Sequence, residues 1–287
     1  MIKIGGLVGL ALAAVHVSIV SAQSLVAVKT QVEPTQSAVP SSTTAFETPR
    51  CAEIAAMGVE YKPLGNACEF AISRNTLPNF ICQEMMSRSA RGSSREEWKF
   101  VDIVTATAMY VSGAGDRYSN FTINGLPVES LTGSSGWNSL ALFGSQLTTI
   151  FLPETKTDFR FDRKMPGNQG STAVFDFRFK RENNFTFKRG ALRPGLSGSI
   201  FVNAETGDLE RAESYASELD PKGNLTSYKS TLEYRATAIS DLGNILVPAA
   251  GSVEVCFTNG VCDRNVLSFQ GCRKFGSESR IIPNPAQ

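Results

Sequence analysis

Histidine is almost missing from this chain of 287 residues, and the one present, His16, sits inside an apolar N-terminal stretch that reads as a secretory leader. Without that leader the chain has no imidazole. This excludes Ser-His and Cys-His catalysis, a histidine proton relay and any imidazole-ligated metal. The other serine signatures are absent too: no Gly-x-Ser-x-Gly elbow and no Ser-x-x-Lys occurs, and Gly195-Leu196-Ser197-Gly198-Ser199 only resembles the former. An excess of either charge is also lacking. Of 28 basic residues the leader removes Lys3, leaving 27 against 27 acidic ones. Such a balance gives no footprint for nucleic acid or an anionic membrane. No Cys-x2-Cys knuckle occurs, which argues against zinc, and no later run is apolar enough to span a bilayer.

The leader itself is well formed. Lys3 supplies the positive region, Ile4 to Val20 the apolar one, and Val20-Ser21-Ala22 the small residues before a cleavage site after Ala22. Its apolar run of about 17 residues is at the lower limit for a spanning anchor. Residues 23–50 follow as a Ser/Thr/Pro linker, too poor in aromatics to fold alone. All six cysteines (Cys51, Cys68, Cys82, Cys256, Cys262, Cys272) lie beyond it. An even count in an exported chain predicts disulfides, with 15 pairings open. One pair stands out. Cys256 and Cys262 flank Asn259-Gly260, a tight-turn signal that would bring the sulfurs together in a hairpin. The remaining N-terminal trio and Cys272 require at least one bridge from the N-terminal segment to the last strand.

Residues 51–96 read as a helical segment holding three cysteines, with a short helix at Ala52 to Met57, interruptions at Pro63 and Gly65, and a second helix after Leu77-Pro78-Asn79-Phe80. Residues 97–280 read as antiparallel β structure, with residues 281–287 as a tail. Trp98 to Thr105, Tyr118 to Ile123 before Asn124-Gly125, Ala173 to Lys180, Ser199 to Asn203, Leu209 to Ser217, Thr226 to Thr237, Ser252 to Phe257 and Asn265 to Arg273 are its strands. Connections this short forbid parallel crossovers. One helix is inserted at residues 135–152, with Trp137, Leu140, Leu147 and Phe151 on its apolar stripe and Pro153 as its stop.

The most informative stretch is Phe175, Phe177 and Phe179, alternating with Asp176, Arg178 and Lys180 so that the three rings share one face. Phe185 and Phe187 repeat the pattern. This face, met by Leu140, Leu147 and Phe151 of the helix, is the candidate lining for an apolar ligand; the alternative is a plugged core. Acids on strands, such as Asp158, Asp162, Glu210 and Glu233, keep a carboxylate-dependent hydrolase open as a further reading, although nothing singles out a pair. Asn120, Asn184 and Asn224 each begin an Asn-x-Thr acceptor, meaningful only in a eukaryotic host. Asp220 to Asn224 carries too few acids for calcium and reads as a turn.

Several motifs recur in order: Leu77-Pro78-Asn79-Phe80-Ile81-Cys82, Trp98-Lys99-Phe100-Val101-Asp102, Arg117-Tyr118-Ser119-Asn120, Leu142-Phe143-Gly144-Ser145, Gly198-Ser199-Ile200-Phe201-Val202 and Phe269-Gln270-Gly271-Cys272-Arg273. Together they resemble a family of uncharacterised secreted bacterial proteins. Residues 98–273 more distantly resemble the outer-membrane lipoprotein-carrier superfamily, an unclosed antiparallel barrel that binds acyl chains in its concavity. The N-terminal cysteines and the C-terminal cysteine hairpin depart from that pattern. The expectation is therefore an α+β protein: a curved antiparallel sheet, an unclosed or half β-barrel, with one helix on its concave face and short N-terminal helices. Its expected role is a secreted or periplasmic, non-catalytic binding protein for an apolar or lipid-like ligand, with no cofactor and no metal. An envelope protein-interaction or scaffold module is the alternative.

Overall fold

The computed structural model describes residues 49–73, 79–93, 95–111, 115–132, 134, 136–139, 145–167, 170–184, 194–239 and 243–275. The leader, linker residues 23–48, Phe185, Phe187, Leu140 and the tail lie outside them. Helices α1 (Pro49–Ala56) and α2 (Lys62–Ser73) come first, joined through a 3-10 turn at Val59–Tyr61. Four strands follow: β1 (Phe80–Arg91), β2 (Lys99–Val111), β3 (Gly115–Ile123) and β4 (Leu126–Pro127). Helix α3 (Ser145–Phe151) leads into β5 (Asp158–Gly167), β6 (Gly170–Phe179), β7 (Gly195–Asn203), β8 (Leu209–Glu218), β9 (Leu225–Ile239), β10 (Gly243–Phe257) and β11 (Cys262–Lys274).

All eleven strands form one antiparallel sheet in the order β4-β3-β2-β1-β11-β10-β9-β8-β7-β6-β5. Its two ends, β4 and β5, do not pair, so the sheet is unclosed. Alternation gives it two faces. On the inner face Met86, Val104, Leu267, Val253, Leu232, Ile200 and Phe175 belong to one buried cluster, which also takes in Ile54 of α1, Leu64 of α2 and Ile150 of α3. A sheet this wide with one apolar face must curl to bury it.

Two tight turns form as their residue types dictate. Asn124 and Gly125 both take positive φ (50° and 80°) between β3 and β4. Gly260 does so (86°) between β10 and β11, where Phe257 N–H bonds to Val261 O at 2.9 Å. Cys256 and Cys262 are opposed in that ladder and disulfide-bonded. Cys51–Cys68 staples α1 to α2, and Cys82–Cys272 ties β1 to β11. The Cys256–Cys262 ring closes only 6 residues. On chain entropy its removal by paired alanines should cost about 2 kcal/mol, read as a small drop in the urea midpoint with the sheet intact.

Three local expectations need correction. Pro63 and Gly65 do not interrupt a helix; they lie in α2. Pro63 falls in its first turn, where a missing N–H costs nothing, and at Gly65 a Cβ would sit 2.7 Å from Ala55 Cβ, so glycine permits the close α1–α2 approach. Phe80 begins a twelve-residue strand rather than a helix. Its inner face reads Phe80, Cys82, Glu84, Met86, Arg88, and the two charged residues hide the alternation. Pro49 and Arg50, which the sequence assigned to the linker, open α1.

Candidate functional site

The inner face of β6 is a floor of phenylalanine. Phe175, Phe177 and Phe179 are each at most 2% exposed, while Arg178 between them is exposed. Phe177 pairs with Gly198 of β7, where a Cβ would lie 2.9 Å from its ring and 1.8 Å from Glu213 O, so only glycine lets the ring lie there. Two short pieces, the 3-10 turn and α3, cover this floor. Tyr61 stands 5.5 Å from Phe175 between ring centroids, and its hydroxyl accepts the Phe161 N–H at 2.9 Å. Phe151 of α3 stacks on Phe159 of β5 at 5.5 Å. Leu147 and Ile150 complete the buried side of α3, which is tied to the sheet by Gln146 Nε2 donating to Ser230 Oγ (2.8 Å) and to α2 by Thr148 Oγ1 donating to Ala71 O (3.2 Å). Sequence alternation and stripe thus place Leu147, Phe151, Phe175, Phe177 and Phe179 in one buried cluster.

The inserted helix is shorter than the 135–152 expected. Trp137 to Ser139 are not helical, because β11 holds their backbone: Trp137 N–H donates to Asp263 Oδ2 (2.9 Å), and Asn265 Nδ2 donates to Trp137 O (2.7 Å) and to Ser139 Oγ (2.8 Å). Those bonds compete with helical ones and win locally.

The same end of the inner face carries a polar cluster that the sequence reading missed. Arg88 of β1 grips Asp102 of β2 bidentately, Nε to Oδ1 and Nη2 to Oδ2 both at 2.6 Å, with the side chains 3% and 10% exposed. Its Nη1 donates to Asn138 Oδ1 (2.8 Å) and Ser134 Oγ (3.3 Å). A planar fork in such a setting has few alternatives once formed, so Ser134 and Asn138 are pinned across β1 and β2. Asp263 joins the cluster, and burial pushes its carboxyl up against the opposing pull of the Trp137 amide and Arg88.

Glu84, two pleat repeats from Arg88 along β1, is 2% exposed, and its Oε2 has no hydrogen-bond partner. Burial, and then the charge of Asp116, push its carboxyl up to about 8, so it is neutral at pH 7. The only signal that could have found it was the apolar frame of Phe80, Cys82 and Met86 around it.

The candidate hydrolytic acids do not converge. Asp158 and Asp162 lie along edge strand β5, Glu210 of β8 accepts the Thr172 hydroxyl at 2.7 Å, and Glu233 of β9 is exposed. Every cysteine is disulfide-bonded, leaving no thiol nucleophile. Among the described residues no three His, Cys, Asp or Glu side chains are grouped to hold a metal, and no helix is long and apolar enough to cross a membrane. Two surface grooves, about 450 and 560 Å³, are lined largely by charged side chains such as Asp158, Arg160, Arg178 and Glu218. Neither suits an apolar guest.

No family model and no curated protein matches this chain. Solved structures to which it is similar include a DUF1329 family protein from Desulfovibrio piger, at 12% identity over 76% of this chain and 95% of that one, TM-score 0.39. A putative outer membrane lipoprotein-sorting protein domain from Vibrio parahaemolyticus gives 12% identity, 74% and 93% coverage, and TM-score 0.37. A LolA superfamily protein from Nitrosomonas europaea gives 13% identity, 76% and 94% coverage, and TM-score 0.32. These neighbours include the superfamily to which the sequence resemblance pointed.

Proposed function

We propose that this chain is an extracytoplasmic, non-catalytic binding protein that receives an apolar, lipid-like ligand on the inner face of its unclosed sheet. The observation that carries this reading is the cover over the phenylalanine floor: α3 and a single 3-10 turn, with α1 and α2 beside them, rather than a second sheet. This short helix and turn are tied to the sheet by side-chain hydrogen bonds such as Gln146 to Ser230 and the Phe161 N–H to the Tyr61 hydroxyl, which cost less to displace than a packed layer, and the face beneath them is mostly apolar. Three intramolecular disulfides accord with an oxidising compartment. A second reading, an envelope protein-interaction module, draws on the outer face. There Phe100 (62% exposed), Val266 (50%) and Met85 (44%) stand in solvent on neighbouring strands.

Phe177→Ala separates the two. A ligand-binding wild type takes up a hydrophobic dye and releases co-purified lipid in native mass spectrometry. The variant then loses uptake while its stability falls by less than the roughly 3–5 kcal/mol of a sealed aromatic core. Full loss of stability, in a wild type that takes up no dye, ends the ligand reading and leaves the interaction module.

A further inference from the structure

Glu84 is a carboxyl group with no structural employment. It stands near the middle of β1, in the centre of the sheet, and its direct cross-strand neighbours are Ala106 of β2 and Phe269 of β11. Neither side chain can hydrogen-bond it. A surface strand would put such a residue in water and a structural ion pair would give it a base, as Arg88 does for Asp102 only four residues on. Here the carboxyl is sealed in and Oε2 is left empty-handed, which is costly for a protein to maintain. A second inner-face atom shares that condition: Asn265 Oδ1 on β11 is buried without a donor, although its amide nitrogen is fully used.

Chemistry narrows what would complete Glu84. A neutral carboxyl offers one O–H donor and needs an acceptor. An anionic acceptor is opposed by Asp116, whose charge already acts on this group, and by burial. A cation would have to ionise Glu84 inside an apolar face. A neutral carbonyl oxygen meets neither objection. From this point the inner-face apolar cluster runs unbroken from Met86 and Phe269 through Leu232 and Ile200 to Phe175.

Building on the apolar-ligand reading, we propose that the Glu84 carboxyl donates its O–H to the carbonyl oxygen of an acyl ester or amide. The polar end of the ligand is thereby held at the β1–β2–β11 part of the inner face, and its hydrocarbon lies along the apolar cluster. Proton donation fails once Glu84 ionises, so binding weakens as pH rises through about 8. The charged and titratable groups sharing this surface are Arg88 on β1, Asp102 and Tyr110 on β2, Asp116 and Tyr118 on β3, and Asp263 on β11. Substituting Glu84 alone therefore isolates its part in the pH profile.

The test uses a fluorescent fatty-acid methyl ester, with an alkane of the same length and fluorophore as control, titrated into the full mature chain from pH 6 to 9.5. The wild type should lose about tenfold in ester affinity across pH 8 and keep its alkane affinity, the size expected for one hydrogen bond to a buried partner. Glu84→Gln, which retains an N–H donor and the shape, should bind the ester within a few-fold of wild type at pH 6 and show no pH dependence. Glu84→Leu should bind it about tenfold more weakly at pH 6 and leave the alkane unaffected. Ester affinity that is flat with pH and unchanged in Glu84→Leu overturns the assignment, with Oε2 then meeting only water. A long-chain amine that binds better than the ester and tightens above pH 8 overturns it in favour of a cation site. If neither ester nor alkane binds the wild type, the apolar-ligand reading itself fails, an outcome distinct from both.

Discussion

Between pH 5 and pH 9 the wild type is expected to lose several kcal/mol of unfolding free energy, and Glu84→Gln is expected to lose much less. The cause is linkage. Glu84 ionises near 4.5 when unfolded and near 8 when folded, so between those values the native state binds the extra proton. Stability then falls as pH rises. Its contribution is fully present below the unfolded value and gone once pH passes the folded one. At roughly 1.4 kcal/mol per pH unit the ceiling is about 5 kcal/mol. Asp263, raised in the same direction by burial, adds a fall of the same sign that the variant retains. Guanidinium unfolding at each pH with disulfides intact measures the effect. Parallel pH curves for the two proteins would mean that Glu84 is ionised, or solvated, in the native state.

Loss of Cys82–Cys272 is expected to be the most damaging of the three disulfide deletions. The chain-entropy relation gives roughly 5 kcal/mol for a ring of 190 residues, about 3 for the 17 residues between Cys51 and Cys68, and about 2 for the hairpin pair. Position adds to length. The β1–β11 register slips between Ile81 and Gln83, so Cys82 faces Gly271 and Cys272 across a bulge, and the covalent bond holds the seam where ladder pairing is weakest. Paired alanine variants, compared by guanidinium midpoint and slope, should follow that ranking. A Cys82→Ala/Cys272→Ala protein no less stable than the hairpin variant would show that the seam holds without its bond.

Much of the sheet was legible because its local signals agree with its tertiary environment. The alternation from Ala173 to Phe179, the Asn-Gly turns at 124–125 and 259–260, and the hairpin disulfide each follow from a pattern within a few residues. What resisted reading depends on partners far away in the chain. Glu84 and Arg88 carry no local signal of their burial, and only Asp102, Asn138 and the inner face of β11 reveal it. Trp137 matches a helical stripe, yet Asp263 and Asn265, more than 120 residues later, hold its backbone out of the helix. The floor of the candidate site and the helical part of its cover could be listed from sequence, but not the 3-10 turn. Nothing in the spacing of Tyr61 announces that its ring will lie over Phe175.

The strand order has a consequence for how the chain comes to be folded. Every neighbouring pair in the sheet is also consecutive along the chain, except β1 and β11. Phe80 pairs with Lys274, and Phe275 N–H reaches Asn79 O at 2.9 Å, so the two ends of the β region meet at the middle of the sheet rather than at its rim. A chain emerging N-terminus first can build β1 to β4 and β5 to β10 as two separate meanders. Neither can be joined to the other until the last strand arrives between them. Both meanders meanwhile expose an unpaired edge, the slow and aggregation-prone situation of long-range β pairing. A circular permutant that joins residue 275 through a linker to Pro49, keeping α1 and α2, and opens between β4 and α3 would make every neighbouring pair of strands in the sheet consecutive along the chain. It should fold faster than the natural order.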